Sequence, residues 1–178
     1  MLPPDCFKEE DMRLFVSVNL TPEMKRCVKD HQTALKRESY GGRYPSEENF
    51  HITLAFIGEF SDLPKVKAAL GKVRFSPFEI SAGGIGHFGS IYYVRVNSEK
   101  RLLDALSEKV KLELQKAGVP FDPKKFKAHI TVGRDVECDA APNSFGSAKM
   151  VVSEFSLMKS EFISGKRIYK SLFTVKAN

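Results

Sequence analysis

Leu14, Val16 and Val18 alternate with Phe15, Ser17 and Asn19 across Arg13 to Leu20, the period-two pattern of a strand. Thr21 followed by Pro22 supplies a cap and a first-turn proline, so a helix is expected from about Glu23 to Glu38. Residues 40–45, with Gly41, Gly42 and Pro45, predict a loop. A strand carrying His51-Ile52-Thr53 then runs to about Gly58, and Ser61-Asp62-Leu63-Pro64 starts a second helix ending near Val73. Short strands are expected at Phe78 to Ile80 and Ile91 to Val96, joined through the glycine-rich AGGIGHFGS. The stripe Leu102, Leu103, Leu106, Val110 and Leu114 predicts a long helix stopped by Gly118. A strand with His129-Ile130-Thr131 follows, and two closing strands fit Met150 to Phe162 and Arg167 to Val175.

The order strand, helix, His-Ile-Thr strand thus occurs twice. It predicts an α+β fold of two pseudo-symmetric lobes, with residues 1–178 forming one bilobal unit and no flexible linker between the lobes. In a strand, residues two apart share a face. Ile52, Leu54 and Phe56 are therefore expected inward, with His51, Thr53 and Ala55 on the other face. Likewise Ile130 and Val132 point inward, with His129 and Thr131 outward. Ala55 and Gly133 would leave space on the polar faces. Strict alternation puts Arg134 with Ile130 and Val132, so it meets the polar face only where the strand ends or twists.

Composition changes this picture little, except in charge. The chain has 178 residues, 42% hydrophobic and 28% charged, enough for a substantial core. A net charge of +6 favours phosphate-bearing partners. Cys6, Cys27 and Cys138 are scattered and form no CxxC pair, which fits a reducing compartment. The N-terminal apolar run is too short for a membrane span or a secretory core, so a cytoplasmic protein is expected, without an obligatory protein partner.

One His-Ile-Thr in an apolar strand would pass as packing; two in matching contexts ask for a shared cause. Across a pseudo-twofold axis they would line a cleft with two imidazoles and two hydroxyls. Near neutrality one imidazole can be neutral and the other protonated. One can then take a proton from an attacking hydroxyl or water while the other protonates a leaving oxygen. Thr53 and Thr131 can donate to non-bridging phosphate oxygens. This chemistry needs no metal. A zinc hydrolase fits less well, because the histidines lack carboxylate or cysteine company and there is no HExxH. His31 falls within a helix as a surface or packing residue. His87 falls in a loop beside Phe88, an aromatic able to stack on a base. Lys124, Lys125 and Lys127 form a basic run before the second motif, suited to an RNA backbone.

The paired HxTx motifs, His51 to Leu54 and His129 to Val132, resemble those of the 2H phosphoesterase superfamily. RLFVSVNL, ENFHITLAFIGEF, KAHITVGR and SEFSLMKSEF resemble segments of its RNA 2′,3′-cyclic phosphodiesterases, also called 2′-5′ RNA ligases. The resemblance implies two lobes of antiparallel strands around a groove, with helices outside. It implies that His51 is the proton donor and His129 the acceptor, that Arg134 completes HxTxxR as a phosphate clamp, and that no cofactor takes part. The substrate implied is an RNA end carrying a 2′,3′-cyclic phosphate, opened to a 2′-phosphomonoester, with ATP-independent 2′-5′ joining by the same groups. The alternative is a related module that binds a nucleotide without turnover. The chain departs from the family's habit in having Ala128 where proline is common and Tyr44 where tryptophan is common.

Overall fold

The computed structural model describes residues 12–143 and 146–178, so Cys6 lies outside the described residues. Among the described residues, nine strands form two antiparallel sheets. β1 (Met12–Asn19), β3 (His51–Phe60), β8 (Glu154–Ile163) and β9 (Lys166–Lys176) make one, in the order β3-β1-β8-β9. The other contains β2 (Ser39–Arg43), β4 (Phe78–Phe88), β5 (Ile91–Ser98), β6 (His129–Cys138) and β7 (Ser147–Val152), in the order β2-β6-β5-β4-β7. Three helices, α1 (Pro22–Glu38), α2 (Leu63–Leu70) and α3 (Leu102–Lys116), cover the sheets.

Helix α1 begins as the sequence implies. Thr21 accepts a hydrogen bond from the Met24 amide, with Pro22 in the first turn. Its buried face, including Met24, Val28 and Leu35, lies on β4, β6 and β7 of the five-stranded sheet. Helix α3 instead packs on β3 and α2, with Leu103, Leu106, Val110 and Leu114 buried. The helices are therefore exchanged. The one that follows the first strand of the four-stranded sheet covers its neighbour, and the one that follows β5 covers the sheet of β3.

Three expected boundaries change. Residues 39–43 form an edge strand on β6 rather than a loop, because Gly42 must lie against Val136, where a Cβ would come within 2.9 Å of its side chain. The glycines after Ala82 belong to β4 rather than to a turn. Gly86 lies under the Tyr93 ring, 2.7 Å from where a Cβ would sit, and Gly84 takes a positive φ where the β4–β5 register shifts. The single strand expected from Met150 to Phe162 is two. β7 pairs with β4 and β8 pairs with β1, so the chain crosses between sheets at Ser153.

The two His-Ile-Thr strands share a further departure from alternation. In β3, Thr53 pairs with Ser17 and Ala55 with Val16, which leaves Leu54 as an extra residue. In β6, Thr131 pairs with Tyr93 and Gly133 with Tyr92, which leaves Val132 extra at the same motif position. Each is a β-bulge, and it moves the side chains that follow to the opposite face; in β3 a second extra residue, Ile57, reverses this again after Phe56. Leu54 and Ala55 both enter the core, as do Val132 and Gly133, while Ile52 and Ile130 are wholly buried.

Each extra residue has a backbone carbonyl claimed by a buried side chain from the helix behind it. Ser107 of α3 donates to the Leu54 carbonyl at 2.6 Å, and Gln32 of α1 donates to the Val132 carbonyl at 3.0 Å and to Pro45 at 2.9 Å. A buried carbonyl without such a donor costs about 1–3 kcal/mol. His31, next to Gln32 and wholly buried, is a packing residue. Its Nδ1 meets the Cys27 carbonyl at 2.8 Å and its Nε2 accepts from the Gly84 amide at 3.2 Å, tying α1 to the irregular part of β4. Ser107→Ala and Gln32→Leu are each expected to lower the unfolding free energy by about 1–3 kcal/mol in urea titrations. A change well under 0.5 kcal/mol in both would show that the bulges hold without these donors.

Candidate active site

The bulges decide what faces the cleft between the sheets. A cavity of about 320 Å³ is lined by His51, Thr53 and Phe56 from β3, Thr131 and Arg134 from β6, Arg13 and Phe15 from β1, and Arg167 and Tyr169 from β9. Arg134 thus lies on the Thr131 face and not on the Ile130 face. Strict alternation fails because Val132 is an extra residue. Phe56 moves likewise from its expected core position, and Ala55 and Gly133 pack inward instead of opening space above the polar face. Phe56 and Arg134 occupy the same place in the two motifs, five residues after each histidine. The pseudo-symmetric halves therefore present a ring on one side and a guanidinium on the other.

The imidazoles are held alike. His51 Nδ1 lies 2.7 Å from the Asn49 carbonyl, and His129 Nδ1 lies 2.6 Å from the Lys127 carbonyl. A carbonyl only accepts, so each Nδ1 carries a proton and each Nε2 is left to gain or lose one. Thr53 Oγ1 lies 3.0 Å from His51 Nε2 and donates to it when that nitrogen is bare. Rings enclose both histidines. Phe15 and Tyr169 stand 5.0 and 5.2 Å from His51, centroid to centroid, and Tyr93 and Phe88 stand 5.5 and 5.8 Å from His129.

Burial pushes the pKa of His51 down, and the charges of His129 and Arg134 push the same way against the Asn49 carbonyl. His129 is lowered chiefly by burial too, with Arg134 and Lys127 adding to the effect against the Lys127 carbonyl. Both rings thus favour the neutral form, rather than dividing into one neutral and one charged. A bound phosphate would reverse the balance by supplying negative charge. Among the described residues, no group of three or more His, Cys, Asp or Glu stands together as metal ligands.

The other sequence candidates separate. His87 lies at the end of β4, stacked on Tyr92 and lining a separate surface pocket, while its neighbour Phe88 reaches His129. Lys124 pairs with Asp122, whereas Lys127 places its ammonium 4.6 Å from the Phe88 centroid. Tyr44 packs over Gly133 and under Lys36, and also lines an outer extension of the cleft with Arg43, Arg134 and Arg167. Arg13, Phe15, Phe56, Arg167 and Tyr169 were not singled out from the sequence. Alternation from Ser17 marks Phe15 and Arg13, but nothing local marks Arg167 and Tyr169 of β9 as cleft residues, since the pairing of β9 with β8 is set by the tertiary fold.

Comparison with known proteins gives concordant matches. Residues 18–97 match the family described as LigT like Phosphoesterase. The chain is 36% identical over 177 residues to an RNA 2′,3′-cyclic phosphodiesterase of Archaeoglobus fulgidus, covering 90% of this chain and 98% of that one. It is 28% identical to the protein of the same name from Thermotoga maritima, over 91% and 94% of the two chains. The structure of Escherichia coli LigT complexed with 3′-AMP superposes with a TM-score of 0.83 at 24% identity, covering 94% of this chain and 99% of that one, a likeness of fold.

The two imidazoles should titrate below the ordinary value of about 6.5 in ligand-free protein, with Nδ1 protonated in the neutral form, as read by ¹H–¹⁵N NMR. Either ring titrating above 6.5, or carrying its neutral proton on Nε2, would contradict the site's electrostatics.

Proposed function

We propose, from the premise that this chain belongs to the LigT-like phosphoesterase family, that it hydrolyses RNA 2′,3′-cyclic phosphodiester ends to 2′-phosphomonoesters. The observation that carries this is the twin anchoring of His51 and His129. Each Nδ1–H is fixed on the carbonyl two residues earlier, and a threonine follows two residues later.

In the proposed mechanism, His129 Nε2 takes a proton from water as the water oxygen bonds to phosphorus. The P–O3′ bond breaks, and protonated His51 gives its Nε2 proton to O3′. The phosphoryl group stays on O2′, and the two rings exchange protonation states, which solvent resets. Thr53 and Thr131 donate to non-bridging oxygens, and Arg134, beside both, offsets their charge. Negative charge on the bound phosphate favours the protonated acid that burial alone disfavours. The exclusion of bulk water by Phe15, Tyr169, Phe88 and Tyr93 strengthens each of these interactions. The whole chain acts as one bilobal unit, since the cavity draws residues from both sheets. ATP-independent 2′-5′ joining uses the same groups when a 5′-hydroxyl replaces water.

An RNA end is the substrate class that the basic surroundings favour, and the net charge of +6 attracts it. Among the described residues no helix is long and apolar enough to cross a membrane. The sulfurs of Cys27 and Cys138 are free, which suits the cytoplasm.

The test uses an oligoribonucleotide ending in a 2′,3′-cyclic phosphate, with product phosphates resolved by chromatography. The 2′-phosphate is expected at an undiminished rate in excess EDTA, and a chelator-sensitive rate restored by zinc or magnesium would contradict the two-histidine mechanism. Thr53→Val and Thr131→Val should each slow turnover by about 10²-fold. His51→Ala and His129→Ala should each remove most activity, the double variant costing little more than either single one. Product binding without any wild-type turnover would instead identify a nucleotide-binding module.

A further inference from the structure

Each imidazole is anchored by the carbonyl two residues before it, but the residues that own these carbonyls are held differently. Lys127, which serves His129, places its ammonium over the Phe88 ring. Asn49, which serves His51, reaches across the sheet instead: its Nδ2 donates to the Arg167 carbonyl of β9 at 2.9 Å. In the order β3-β1-β8-β9, β3 and β9 are the two edges of the four-stranded sheet. The bond therefore joins the entrance of one edge strand to the opposite edge, with β1 and β8 between them.

His51 is the first residue of β3, so its anchor belongs to the connection before the strand. Residues 47–49 form a short 3₁₀ turn, in which the Asn49 amide donates to the Ser46 carbonyl at 3.0 Å and the Phe50 amide to the Glu47 carbonyl at 3.2 Å. Such a turn has poor hydrogen-bond geometry of its own, and the Asn49 side chain gives it a fixed point outside. Arg167 and Tyr169, two residues apart on β9, both line the cleft, and Tyr169 stands edge-on to His51 and to Phe15. One side-chain bond thus registers the carbonyl that orients the His51 imidazole against the strand that supplies the ring beside it.

Orientation matters at His51 because its two nitrogens have competing partners. The Asn49 carbonyl accepts only from Nδ1–H, whereas Thr53 Oγ1 can donate to a bare Nε2 or accept from a protonated one. If the carbonyl drifts, the neutral ring can carry its proton on Nε2 with Thr53 as acceptor. Proton transfer to a leaving oxygen needs the donor in hydrogen-bond reach and at a fixed angle. We propose that Asn49 is a positioning residue for His51: its amide, docked on β9, fixes the carbonyl that keeps His51 Nε2 aimed at O3′. This rests on the role of proton donor given above to His51. Asn49 acts through the imidazole, and no bond forms or breaks at its own amide.

Asn49→Leu keeps the bulk of the side chain without its donor, and Asn49→Ala removes both. ¹H–¹⁵N NMR of the ligand-free variants should show part of the neutral His51 population protonated on Nε2. His129 should keep its proton on Nδ1, which makes it the internal reference for an intact cleft. Asn49 lines both the cleft and its outer extension, so KM is read beside kcat. With a mononucleoside 2′,3′-cyclic phosphate, kcat should fall about tenfold in both variants at nearly unchanged KM. In a His51→Ala background Asn49→Leu should cost nothing further, because residues acting through one group are non-additive. Wild-type kcat in both variants, or a wild-type His51 tautomer, would overturn the proposal. A raised KM at unchanged kcat would make Asn49 a substrate contact instead, and equal disturbance of both histidines would reduce it to a structural residue of the cleft. Absence of hydrolysis by the wild-type protein would remove the role of His51 as acid, and the NMR comparison would still decide whether Asn49 sets its tautomer.

Discussion

One extra residue in each His-Ile-Thr strand, with its carbonyl held by a donor from the helix behind, is the constraint on which the cleft depends. Leu54 and Val132 each take a core position that alternation would deny them. The side chains that follow therefore change face, and Phe56 and Arg134 reach the cleft. Ser107 and Gln32 donate to these two carbonyls, and both come from helices that cover the strand from the core side. The exchanged helices thus position the site as well as the sheets: α1, beginning beside β1, steadies β6, while α3, following β5, steadies β3.

The duplication is chemical at the histidines and asymmetric around them. Both imidazoles present a bare Nε2 when neutral, because both keep their proton on Nδ1 and donate it to a local carbonyl. The difference needed for acid–base work must then come from their surroundings and from the bound phosphate. Arg134 lies on the β6 side of the cleft, whereas Phe56 holds the equivalent place on β3. Thr53 reaches His51 directly. Two chemically identical side chains are thereby given different neighbours, which is how one fold can assign opposite proton roles to a repeated motif.

Much of this was legible in the chain. The repeat located His51, Thr53, His129 and Thr131 on two equivalent strands, and Thr21-Pro22 and the leucine stripe located α1 and α3, because those signals are local and periodic. The bulges were not legible, since an extra residue is defined by the register of a partner strand. That is why alternation turns Phe56 inward and brings Arg134 to the cleft only where the strand ends or twists. The glycines from 83 to 86 resembled a turn because glycine marks both reversal and close approach, and only the Tyr93 ring over Gly86 distinguishes them. Ser153, where the chain changes sheets, carries no local breaker to separate β7 from β8. Gln32 and Ser107 look like ordinary polar residues on amphipathic helices until the carbonyls they meet are known.

The assignment of opposite roles to His51 and His129 is tested most directly by the pH dependence of kcat/KM for a 2′,3′-cyclic phosphate, since this reports ionisations of the free enzyme. With both imidazoles lowered by burial, the wild-type profile should be a bell with its maximum below about pH 6.5. The residual rate of His129→Ala should lose the fall on the acid side, where the base is protonated. That of His51→Ala should lose the fall on the alkaline side, where the acid is spent. The opposite pattern of lost limbs would reverse the two roles, and a profile that keeps both limbs in either variant would contradict the paired acid–base mechanism.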